Sequence, residues 1–68
     1  MKIGDTIKIL PSIALQEMRL EELVNTEAII TDIVYHANKI DGCWVKLPTN
    51  YLGEEEWFVP YNSIGKWN

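Results

Sequence analysis

Apolar and polar positions alternate along most of this chain with a period of two, the signature of half-buried strands. The longest such stretch is Thr26 to Tyr35, Thr-Glu-Ala-Ile-Ile-Thr-Asp-Ile-Val-Tyr, which the pattern predicts as the central strand of a small barrel. Strict alternation cannot place Ala28, Ile30, Ile33 and Tyr35 on one face, because the step from Ile30 to Ile33 is odd. A bulge near Thr31 and Asp32 repairs the register. It would also bend the strand so that it serves both halves of a closed, curved sheet.

In chain order, Ile3, Ile7 and Ile9 share a parity, Gly4-Asp5 signals a turn, and Thr6 to Leu10 is predicted as the first strand. Pro11 ends it, having no N–H to donate. Between Pro11 and Asn25 the period changes: Ser12 is a candidate cap, and Leu20, Leu23 and Val24 recur at three and four residues. A short helix is expected there, centred on Arg19 to Val24, with Asn25 as a left-handed cap. One or two turns are not stable alone in water, so this excursion must pack on the barrel. Ile13, Leu15 and Met18 would then cover its open end, the alternative being a partner-binding helix.

The segment from His36 to Gly42 has the composition of a mobile loop. Cys43 to Leu47 then alternates, with Cys43, Val45 and Leu47 inward and Trp44 and Lys46 outward. Pro48 to Gly53 carries turn chemistry, Glu54, Glu55 and Glu56 form an acidic shoulder, and Trp57-Phe58-Val59 resumes a strand that Pro60 stops. Tyr61 to Ile64 has the length of one 3-10 turn, and Gly65 to Asn68 could add a last short strand. The expected fold class is therefore mainly β: a small five-stranded antiparallel barrel with a short helix between strands 1 and 2.

Composition narrows the function classes. Sixty-eight residues make one domain, 1–68, and 47% hydrophobic residues with three Trp, three Tyr and one Phe can fill its core. The lone Cys43 requires no oxidising compartment, and no apolar leader or span is evident, so a cytoplasmic location without membrane insertion is the default expectation. A net charge of −4, with six scattered Lys and Arg, disfavours nucleic acid as a partner.

Candidate chemistry is sparse. His36 and Cys43 flank one loop and could pair as base and thiolate, but Cys43 has the inward parity of a small core residue. No Cys-x-x-Cys or His-x-x-x-His spacing exists, and three successive glutamates point in alternating directions, so neither metal nor any other cofactor is expected. The aromatic residues carry more. Trp44 outward, with Pro60, Tyr61 and Tyr51 or Trp57 nearby, would make an exposed apolar patch, while Trp57 and Trp67 could equally cap open barrel ends.

From Asp41 to Ile64 the run Asp-Gly-Cys-Trp-Val-Lys, a hairpin, then Trp-Phe-Val-Pro-Tyr-Asn-Ser-Ile resembles the second half of Src-homology-3 (SH3) domains. Trp44, Pro60, Asn62 and Ile64 match that family's outward Trp and its apolar-Pro-x-Asn-x-apolar turn. The resemblance implies an SH3-like barrel whose Trp and Pro help form a groove for polyproline-type peptides. Ser63 stands where the family has a groove tyrosine, and the first strand lacks the paired tyrosines. The opening, Lys-Ile-Gly-Asp-Thr-Ile-Lys-Ile-Leu, looks like bacterial SH3-like barrels, including ribosome-associated modules and small redox-complex subunits. The expected function is a non-catalytic interaction module that docks a protein segment or peptide on Trp44, Pro60 and Tyr61, with Glu54, Glu55 and Glu56 favouring basic flanks. The alternatives are an accessory subunit of a larger enzyme or redox complex, or a ribosome- or nucleic-acid-associated module, and a second copy of the chain is a further candidate partner.

Overall fold

A computed structural model of the chain describes residues 1–66. Five antiparallel strands, β1 (Thr6–Ile9), β2 (Glu27–His36), β3 (Lys39–Tyr51), β4 (Glu54–Pro60) and β5 (Ile64–Lys66), form one sheet in the order β4-β3-β2-β1-β5. The fold is mainly β, as the alternation implies. The sheet is open, which corrects the expectation of a closed barrel: β4 and β5 are its two edges.

The central strand behaves as its sequence requires. β2 pairs with β1 through Ala28↔Ile7 and with β3 through Ile30↔Val45, and the β2–β3 register shifts between Ile30 and Asp32. The extra residue is Thr31, and its insertion returns Ile33 to the core side beside Ala28 and Ile30. Tyr35 keeps the parity of Ile33, since the extra residue of the second shift is Asp41 on β3, but it lies one residue from the end of the strand and stays exposed. The core gathers Ile7 and Ile9 from β1, Ala28 and Ile30 from β2, Cys43, Val45 and Leu47 from β3, and Val59 from β4. Ile3 is exposed despite its parity, since Gly4, at φ +96°, breaks the alternation.

The excursion after β1 is helical, but its helix lies earlier than the spacing suggests. α1 (Ile13–Glu17) starts at Ser12, whose Oγ accepts the Leu15 N–H at 3.1 Å. Arg19, at φ +61°, ends the helical run, and Glu21–Leu23 is a 3-10 turn rather than the centre of the helix. Leu20 and Leu23 still face the core, so their spacing of three reports one tight turn. Asn25 adopts the expected left-handed conformation, at φ +71°. Leu15 is the residue that seals the core here, while Ile13 remains 77% exposed and Met18 is exposed too.

Two further expectations are corrected. The segment from His36 to Gly42 is not a long loop: β2 and β3 meet through Ala37-Asn38 alone, both at positive φ, and Lys39 to Gly42 already belong to β3. Likewise β3 continues through Pro48 to Tyr51, and the turn contracts to Leu52-Gly53. Tyr61–Ser63 forms the expected 3-10 turn, and β5 follows directly on it. Trp67 lies outside the described residues. Among those described, no helix is long and apolar enough to cross a membrane.

Candidate functional site

Pairing across β2, β3 and β4 defines the outward face. One rung joins Asp32, Trp44 and Phe58, the next joins Ile29, Lys46 and Glu56, and Gly42 lies opposite Pro60. Trp44 stands in the middle with 43% of its surface exposed, as its parity predicts. Its ring meets that of Phe58 edge to face, with centroids 5.9 Å apart and planes at 69°. Such a pair adds about 0.5–1.5 kcal/mol beyond burial and fixes the direction of both rings. Phe58 in turn covers Gly42: a Cβ on residue 42 would stand 2.5 Å from Phe58 Cζ.

Polar neighbours frame the indole. The Thr31 hydroxyl lies 3.1 Å from Glu56 Oε2 and 3.2 Å from the Trp44 carbonyl, so the bulge residue reaches across β3 towards the β4 carboxylate. Asp32 Oδ1 accepts the Ile33 N–H at 2.9 Å. Both carboxylates are held by the fold next to Trp44. Among the described residues the one ion pair within 4.0 Å joins the N-terminal ammonium to Asp5, leaving these acids without a cationic partner.

The other sequence-predicted residues are distributed unevenly. Tyr61, 51% exposed on the 3-10 turn, borders a shallow depression of about 340 Å³ with Lys39 and Ile40. Pro60 is buried, so it supports this surface without contributing area to it. Tyr51 and Trp57 are not beside Trp44. They have the opposite parity, Trp57 pairing with Val45, and pack on the core as an edge-to-face pair 5.6 Å apart at 65°. The Trp57 indole N–H donates to the Glu54 carbonyl at 3.0 Å, which pins the hairpin. The Tyr51 phenol is pushed above its ordinary value, first by burial and then by the carboxylates of Glu22 and Glu21. Glu54, Glu55 and Glu56 are all exposed and line an open depression of about 570 Å³ with Lys46, Asn50 and Gly53.

Phe58 and Ile29 belong to the same outward surface and were not singled out from sequence. Cross-strand pairing supplies the missing signal: once Trp44 faces out, its partner Phe58 must also. His36 and Cys43 stand apart in the ladder. His36 pairs with Lys39 at the exposed hairpin end, whereas Cys43 pairs with Ile33 and is fully buried. Burial pushes the Cys43 thiol above its ordinary value, opposed by the N-terminal ammonium and aided by Asp32. Its Sγ contacts Met1 Sδ at 3.4 Å. No cluster of three or more His, Cys, Asp and Glu with metal-binding geometry occurs among the described residues.

Comparison of the chain with protein-family models, with curated proteins and with solved structures gives no match in any of the three.

Proposed function

We propose that the chain is a non-catalytic, SH3-like interaction module that docks a protein segment across the outward face of β2, β3 and β4. The observation that carries this reading is Trp44, held edge-on by Phe58 yet 43% exposed in the middle of a sheet. Covering the exposed part removes about 100 Å² from water, on the order of 2–3 kcal/mol before ordering costs. Because the indole is already fixed in direction, little side-chain entropy remains to be lost on binding. Ile29 and Tyr61 extend the apolar surface, and Asp32 and Glu56 set a preference for basic residues beside it.

Support for the SH3-like part comes from element order: a first strand, a long excursion, three strands joined by tight turns, a 3-10 turn, and a last strand beside the first. The decisive experiment is an amide NMR titration of labelled protein with proline-rich and basic peptides, with self-association followed by dilution. Saturable shifts at Trp44, Phe58 and Tyr61 are expected. Unchanged spectra at millimolar peptide and no dependence on protein concentration would overturn the reading.

A further inference from the structure

β2 changes partners part-way along. It pairs with β1 from Glu27 to Ile29 and with β3 from Ile29 onwards, so the β2–β3 ladder ends at Ile29↔Lys46. Beyond that rung Leu47 to Asn50 run on as extended chain, opposed on β4 only by the single residue between Glu54 and Glu56. Where the strands part, a cleft of about 360 Å³ opens. Ala28 and Leu47, both buried, form its floor, and the exposed Pro48 and Ile29 (46%) form apolar walls. Two carboxylates border it, Glu27 from β2 and Glu55 from β4, with β3 between them. Lys46 is the one cation lining it, and neither glutamate lies within 4.0 Å of that ammonium or of any other cation among the described residues.

We propose that this cleft receives an arginine side chain from an extended segment of a partner protein. The reading rests on the chain being a docking module and adds a subsite separate from Trp44. An apolar floor between two carboxylates matches a side chain with a hydrocarbon stem and a charged head: the stem lies on Leu47, Ile29 and Pro48, and the head reaches Glu27 and Glu55. Guanidinium suits the arrangement better than ammonium, because its planar fork donates in two directions at once and is more weakly hydrated. The segment that carries it is extended, since main-chain groups of β3 beyond Lys46 have no β2 partner in the ladder and are open to strand-like pairing.

The test uses acetyl-Val-Arg-Val-amide and its citrulline counterpart, which keeps the shape and loses the charge, titrated into the labelled full chain. Saturable shifts are expected at the amides of Ala28, Ile29 and Leu47. Glu27→Gln and Glu55→Gln should each weaken binding by about threefold to tenfold, and Lys46→Gln should tighten it. Equal binding of the citrulline peptide, indifference to both glutamine variants, or no shift at millimolar peptide would overturn the proposal. Shifts confined to Trp44, Phe58 and Tyr61 would also overturn it, while leaving the docking reading in place.

Discussion

Phe58 occupies the space that a side chain on Gly42 would need. An added Cβ would approach Phe58 Cζ and the Val59 carbonyl oxygen at 2.5 Å each, and the second of these is backbone that cannot rotate away. Gly42→Ala is therefore expected to destabilise the fold by about 1–3 kcal/mol, the usual range for overpacking. It should also turn Phe58 and, through their edge-to-face contact, Trp44. Urea unfolding measures the first effect and near-ultraviolet circular dichroism the second; an unchanged midpoint would show that the strands separate easily here.

Ser12 and Ser63 join the start of α1 to the 3-10 turn, with their hydroxyl oxygens 2.6 Å apart and Ser63 fully buried. Ser12 also caps α1. Ser12→Ala thus removes two interactions and leaves a buried hydroxyl without its partner, for an expected loss of about 1–3 kcal/mol. Ser63→Ala should cost less, because the cap survives. The double variant should be less destabilised than the sum of the singles, and strict additivity would mean the two hydroxyls do not interact.

Leu52 sits at φ +52° in the two-residue turn between β3 and β4, 78% exposed and followed by Gly53 at φ +86°. Asparagine tolerates this conformation better, and little burial is lost on replacing the leucine. Leu52→Asn is expected to raise stability by roughly 0.5–1 kcal/mol, seen as a higher thermal midpoint. A lower midpoint would mean that the leucine makes contacts worth more than its backbone strain.

The buried thiol gives the protein an alkaline weakness. A raised folded pKa means that, above the unfolded thiol value of about 8.5, the unfolded chain loses its proton first. Stability is unaffected below that value and falls as the pH rises through it. Tyr51, raised in the same direction, adds a second loss nearer pH 10. The urea midpoint should drop between pH 8 and pH 10, and Cys43→Ala should show a shallower drop. Equal slopes would assign the whole effect to other groups.

What could be read from sequence was what alternation controls. The odd step from Ile30 to Ile33 exposed the bulge at Thr31, and the inward Cys43, Val45 and Leu47 fixed Trp44 as outward. That the sheet stays open was not legible, since closure depends on whether the edge strands β4 and β5 meet, and alternation within each strand carries no signal of that. Helical spacing misled over Arg19 to Val24, because a spacing of three at Leu20 and Leu23 suits a 3-10 turn as well as a helix, and the backbone reversal at Arg19 leaves no trace in composition. The polar run His36 to Gly42 hid paired strand ends, because an exposed hairpin needs no apolar residues. In the site, Tyr51 and Trp57 were grouped with Trp44 by type. Their parity places them on the other side, where they close the core.

Trp44 separates the docking reading from a purely structural one. A tryptophan required by the core would cost about 3–5 kcal/mol on truncation to alanine. Here nearly half the ring is already in water, so Trp44→Ala removes the edge-to-face contact with Phe58 and only part of the burial. The expected loss is about 2 kcal/mol, with the amide spectrum still dispersed and shifts centred on Asp32 and Phe58, its rung partners. Peptide-induced shifts on this face should disappear in the same variant. A loss above about 3 kcal/mol, or an unfolded spectrum, would place the indole in the core and remove the anchor on which docking depends.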